Sequence, residues 1–322
     1  MHLSSFFVTL LMGLGVAFTT YTELEDVFTI VKGGPGACTE GEAYTISLYH
    51  MDIISMLEAG LEMFNDALER ETVFSNKDVH LRQIGARLMI ESWFGIDFKD
   101  PYEEDGKNIY HAPIELGLFF FIQATNGYLL GIMETALGFI DRKEPLEHLN
   151  AIKPKIYCND KWILNLNNTN FNPKNEGCAK PNVLGLSAWQ LSAITLCPKS
   201  FQKPKNSNLL RGGPPGPMDP ENAMNDHISG SMLLLHEIIH LVLGPQDRQG
   251  KQVELYTADD CRAAIMMQIT PLYFEAKRNP QSYVWFMQGA YLAREARYAE
   301  GSYFEYSRGQ PWYITMSSNN TI

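Results

Sequence analysis

Apolar residues between Thr45 and Leu68 recur at helical intervals, at Ile53, Leu57, Leu61, Phe64 and Leu68, and the spacing predicts a helix with one buried stripe. A second pattern of the same period runs from Leu81 through Ile84 to Leu88. The apolar stretch Leu116 to Ile140 has the length of a membrane span. Gln123, Asn126 and Glu134 interrupt it, however, and Thr125-Asn126-Gly127 breaks it, so it reads as two buried elements. After Pro145 the texture changes. Lys155-Ile156-Tyr157-Cys158 and Ala193-Ile194-Thr195-Leu196-Cys197 have the character of short strands, and they bracket an Asn- and Pro-rich loop from Asn165 to Pro181. The two strands predict a small antiparallel sheet. Pro204 to Pro220, which contains Gly212-Gly213-Pro214-Pro215-Gly216-Pro217, is a loop, and helical signals return over Glu221 to Leu243, Ala258 to Lys277 and Pro280 to Glu300. The chain has no internal repeat. The expected fold is α+β, mainly helical with a small antiparallel sheet, in a single domain over 20–322. Within it a helical N-terminal half covers about 38–145, a second half about 150–300, and a C-terminal tail 301–322.

With 322 residues, 45% hydrophobic and 20% charged, the chain can bury a large core. Lys and Arg number 26 against 37 Asp and Glu, for a formal net charge of -11. The densest basic stretch, Lys199 to Lys205, is short and interrupted by proline. Binding to nucleic acid needs clustered cations that displace counterions, so nucleic acid is not an expected partner. Near the N-terminus, Phe6 to Phe18 is too short an apolar run to cross a bilayer and is followed by Thr19, Thr20 and Thr22. That is the layout of a signal peptide over 1–19, which implies a secreted protein with no stable membrane insertion after its removal. Cys38, Cys158, Cys178, Cys197 and Cys261 are never closer than 19 residues, which excludes a CxxC motif and points to disulfides, with one thiol over or an intermolecular bridge. Asn167-Asn168-Thr169 and Asn319-Asn320-Thr321 are glycosylation sequons in a secreted chain.

The chemistry enters at His236-Glu237-Ile238-Ile239-His240, an H-E-x-x-H pattern inside a predicted helix. Residues four apart stand one above the other on a helix, so both imidazoles can reach one metal ion. Zinc held by two neutral imidazoles and one further ligand keeps a position open for water and brings the pKa of that water to about 7. Glu237 is the general base that takes a proton from this water and passes it to the leaving amine. Leu233, Leu234, Leu235, Ile238, Ile239, Leu241, Val242 and Leu243 surround the three polar residues, so the helix is buried on nearly every side. Buried imidazoles and a buried carboxylate need partners, and one metal ion supplies a partner to all three.

For the third ligand the sequence offers several carboxylates. The metzincin pattern fails, because its Gly falls on Leu243 and its third His on Gln246. Asp247 in Gly244-Pro245-Gln246-Asp247 is the first choice, since Gly and Pro end the helix and turn the chain back toward the metal. Glu254 is the reserve, and Asp259 or Asp260, which stand where a gluzincin-type acidic ligand on a following helix would fall, stay open.

These residues resemble the aspzincin metallopeptidases, the family of deuterolysin and the fungal peptidyl-Lys metalloendopeptidases. The segments that carry the likeness are Cys38, Trp93-Phe94-Gly95, Leu196-Cys197 with Phe201, His236 to His240, Gly244-Pro245-Gln246-Asp247, Tyr256, and Asn279-Pro280-Gln281-Ser282-Tyr283-Val284-Trp285-Phe286. They follow the family's order from Cys38 onward. The resemblance implies a secreted, monomeric, zincin-like endopeptidase that binds one Zn2+ per chain through His236, His240 and Asp247 and acts on protein or peptide substrates. It implies Glu237 as base and Tyr256 as donor to the tetrahedral oxyanion. The chain departs from the pattern in that Pro245 replaces the family's Thr and that nine residues, from 247 to 256, separate Asp from Tyr. A loop insertion accounts for the gap, or else Glu254 has replaced the Asp. The acidic residues that receive lysine in peptidyl-Lys members fall here on Gln281 and Val284, so lysine specificity is not expected. The competing reading is a non-catalytic secreted binding protein on the same scaffold.

Overall fold

The computed structural model describes residues 23–68, 77–96, 128–151, 153–166, 177–202, 224, 229–246, 254–266, 275–295, 302–306 and 312–315. The signal segment 1–19, both sequons, the Pro/Gly loop and the first of the two elements expected within 116–140 lie outside them. In chain order the elements begin with a short helix α1 (Leu24–Val27), strand β1 (Thr29–Ile30), and the long helices α2 (Glu40–Leu68) and α3 (Lys77–Phe94). A helix α4 over 128–141, strands β2 (Lys155–Tyr157), β3 (Gly185–Ala188) and β4 (Ala193–Leu196), and helices α5 (Gly230–Leu243), α6 (Ala258–Met266) and α7 (Pro280–Glu295) follow. Strands β5 (Ser302–Glu305) and β6 (Trp312–Thr315) pair as an antiparallel hairpin within the segment expected to be a tail.

Helix α2 starts five residues before the periodicity announces it, because Thr39 and Glu42 form a reciprocal cap. The Thr39 hydroxyl accepts from the Glu42 amide at 3.2 Å, and the Glu42 carboxylate accepts from the Thr39 amide at 2.8 Å. Helix α3 stops at Phe94 because Gly95, at φ +70, takes the left-handed conformation, and its amide still reaches the Glu91 carbonyl. The two residues before that stop lock α3 to α7. Trp93 stacks on Trp285 with centroids 6.5 Å apart, and Phe94 lies against Tyr283 and Phe286 at 5.1 and 5.5 Å. Trp93, Tyr283, Trp285 and Phe286 are wholly buried, so this aromatic cluster is the centre of the helical core.

The four-stranded sheet has the order β1-β2-β4-β3 and is mixed. β1 pairs parallel with β2, β2 pairs parallel with β4, and only β3 and β4 run antiparallel. The expectation of an antiparallel sheet built from β2 and β4 is therefore corrected: the two strands are neighbours and run in the same direction. Strand β3 lies between them in sequence, and the tight turn at Trp189–Leu191, closed by Ser192 at φ 49, reverses the chain a second time, so β4 recovers the direction of β2. β1 and β2 are parallel because the whole helical excursion α2 to α4 separates them, the long crossover that parallel pairing requires. β3 is left at the edge, and α5 packs between the sheet on one side and α2 and α7 on the other.

Two disulfides join these parts. Cys38–Cys158 ties the start of α2 to the end of β2, and Cys178–Cys197 ties the approach to β3 to the end of β4. Cys261 is the remaining, buried thiol. No helix among the described residues is long and apolar enough to cross a membrane.

Candidate metal centre

Helix α5 carries His236, Glu237 and His240 into the middle of the fold. The Ser229 hydroxyl accepts from the Met232 amide at 3.2 Å and caps its start. Its end is fixed by Gly244, at φ +50, whose Cα lies so close to the His148 ring that any Cβ there would overlap it. His148 Nε2 donates to the Leu241 carbonyl at 2.6 Å, satisfying one of the helix's terminal acceptors. A helix held at both ends and packed on every face keeps its side chains in fixed directions. His236, Glu237 and His240 are only 6%, 5% and 4% exposed.

The imidazoles meet a carboxylate from the segment before α6. Glu254 Oε1 lies 2.9 Å from His236 Nε2 and 3.2 Å from His240 Nε2, and the two Nε2 atoms are 3.1 Å apart. Burial by itself would raise the Glu254 carboxyl, but the hydrogen bonds and charges of His236 and His240 prevail and hold it far below the ordinary carboxylate range. His236, His240 and Glu254 are the one cluster of three or more such side chains among the described residues that can hold a metal ion. The donor set fits such an ion. Tetrahedral ligands at bond lengths of about 2.0–2.2 Å stand about 3.3–3.6 Å apart, so the three separations seen here, 2.9, 3.1 and 3.2 Å, need to open by only a few tenths of an ångström to admit an ion.

Of the carboxylates weighed from the sequence that are among the described residues, Glu254 is the one brought to the imidazoles. Asp259 and Asp260 lie exposed in the first turn of α6, where Asp260 accepts from the Thr257 hydroxyl at 2.6 Å. Asp247 falls outside the described residues. Tyr256 is at the rim: its hydroxyl donates to Glu254 Oε2 at 2.9 Å, its ring lies 6.0 Å from that of His236, and it is 59% exposed. The Trp285 indole holds the Tyr256 carbonyl at 3.1 Å, so the segment is pinned to α7.

Three features of the centre went unannounced by the sequence. Gly185, the first residue of β3, lies directly against the Glu237 carboxylate, which any Cβ there would overlap. Gln281 Oε1 accepts from His236 Nδ1 at 2.9 Å, and Asn279, wholly buried, bonds both backbone groups of Leu255 next to Glu254, at 3.3 and 3.2 Å. The Asn279-Pro280 pair was the available signal, since Asn followed by Pro opens a helix and leaves its side chain free to bond a neighbouring loop. Val284, the other position matched to lysine recognition, is wholly buried.

No protein-family model matches this chain, and no curated protein matches it.

Proposed function

We propose that the protein is a secreted zinc-dependent endopeptidase of the aspzincin type, with His236, His240 and Glu254 holding the metal. The observation that carries this reading is the convergence of Glu254 on the two imidazoles of the H-E-x-x-H helix, at 2.9 and 3.2 Å, with Glu237 buried beside them. When bound there, zinc would supply an acidified water and polarise the substrate carbonyl. Glu237 accepts the proton of the attacking water and delivers it to the departing amine nitrogen. Its position is fixed by close packing against Gly185. Tyr256, solvent-facing, turns its one hydroxyl proton from Glu254 Oε2 to the oxygen that develops charge.

The edge strand supports a peptide as substrate. Among the described residues β3 pairs only on its β4 side, and it begins at the residue that touches Glu237. A substrate chain laid along this edge gains main-chain hydrogen bonds, and its carbonyls pass the base. The two disulfides agree with an extracellular location.

The test is metal content by mass spectrometry on the secreted protein, with casein cleavage before and after phenanthroline. About one zinc per chain and chelator-sensitive cleavage are expected. Glu237→Gln should keep its zinc and lose nearly all hydrolysis. Bound zinc with no cleavage in the mature wild-type chain would favour a binding protein on this scaffold, and absence of bound metal would overturn the reading.

A further inference from the structure

The first turn of α7 reaches the metal centre through Gln281. Gln281, its second residue, is half-buried, and its amide oxygen lies 2.9 Å from His236 Nδ1. An amide oxygen can only accept, so the proton of the neutral imidazole must sit on Nδ1. In the metal-bound state the lone pair is then on Nε2, the atom that faces Glu254 and His240. The other tautomer would set two acceptors against each other at Nδ1 and place a hydrogen on Nε2 where the three ligand atoms meet.

We propose that Gln281 is a positioning residue that holds His236 in the tautomer and ring orientation needed to bind metal through Nε2. The inference rests on the metal-site reading given above. It also gives Gln281 a role distinct from substrate recognition, since its acceptor atom is engaged by a ligand. The rest of α7 makes the contact rigid: Ser282, Tyr283, Val284, Trp285 and Phe286, directly after Gln281, are wholly buried, so the helix cannot shift to release the bond. The acceptor is a neutral amide rather than a carboxylate. It orients His236 without adding negative charge behind the ring, which leaves a bound ion more electrophilic than a carboxylate partner would.

Partners of this kind change metal affinity by about 10–100-fold when removed. The test measures the zinc dissociation constant of the full chain by competition with a chromophoric chelator in the wild type, Gln281→Leu, Gln281→Glu and His240→Ala. Long-range 1H–15N spectra of the zinc-loaded forms report the His236 ring. Gln281→Leu should bind zinc about 10–100-fold more weakly and lose the protected Nδ1 proton signal, with its thermal midpoint in the apo form close to wild type. Gln281→Glu, which keeps an acceptor in place, should restore affinity to wild type or better. Unchanged affinity and an unchanged ring signal in Gln281→Leu, with zinc lost in His240→Ala, would overturn the positioning role while leaving the metal site standing. A wild-type chain that binds no zinc would overturn the metal site and the inference together.

Discussion

Gly185 and Glu237 meet so closely that the smallest side chain at position 185 would displace the carboxylate. The consequence is specific to the base. Gly185→Ala should keep zinc, because it touches none of the three ligands, yet lower kcat by about 10²-fold or more through misplacement of Glu237. Steady-state kinetics with metal analysis on the same sample check this, and equal kcat in the variant would remove Gly185 as the wall that aims Glu237. Cys261 gives a second expectation. Burial, aided by the charges of Asp260 and Glu254, pushes its thiol up to about 12 against the opposing hydrogen bonds of Ser282 and Asn279. The native protein should therefore resist alkylation at pH 8, while the unfolded chain yields one reactive thiol. The sign of the linked stability follows. Above about pH 8.5 the unfolded state releases this proton and the folded state retains it, so stability falls with rising pH until the folded thiol itself titrates near 12.

Among the elements, the loop from Glu254 to Thr257 depends on its neighbour α7 more than on its own sequence. Asn279 accepts from the Leu255 amide and donates to its carbonyl. Asn279→Ala should destabilise the fold by about 1–3 kcal/mol, the cost of leaving buried backbone groups unpaired, and should weaken zinc binding as Glu254 loosens. Urea unfolding and chelator competition measure the two effects, and unchanged zinc affinity alongside lowered stability would limit Asn279 to the fold. The helices were legible from sequence because 3.6-residue periodicity is written locally: α2, α3 and α7 stand where the apolar patterns place them, while α5 begins at Gly230, behind its Ser229 cap, and not at Glu221. The pair His236 and His240 was legible for the same reason, being four residues apart on one helix. Strand direction was not, because it depends on how many times the intervening chain reverses, and β3 lay within a sequence of mixed Gly, Ser and Ala with no alternating pattern. The approach of Glu254 and Gln281 was equally hidden. Each reaches the histidines through tertiary packing of a separate element, and several acidic residues after α5 were compatible with the motif.

At the scale of the molecule, the helix that carries His236 and His240 is held between a helical layer and a sheet whose strands come from distant parts of the chain, and the two disulfides secure that assembly unequally. Cys38–Cys158 spans 120 residues and joins the N-terminal helical half to the sheet, whereas Cys178–Cys197 spans 19 and stays within the sheet region. In the chain-entropy picture the long closure contributes about 5 kcal/mol and the short one about 3 kcal/mol, because only the first restricts the unfolded chain over a third of its length. The paired variant Cys38→Ala with Cys158→Ala should accordingly lose about 2 kcal/mol more than Cys178→Ala with Cys197→Ala in urea unfolding. Hydrolysis should respond in the opposite order. The short bridge anchors the end of β4 beside β3, the strand that abuts Glu237, while the long bridge leaves from the end of β2, which β4 separates from β3. Hydrolysis at temperatures well below unfolding should thus fall more in the variant lacking Cys178–Cys197, although that variant is the more stable of the two. Activity that follows stability in both variants would show instead that the sheet acts on the centre as one rigid unit.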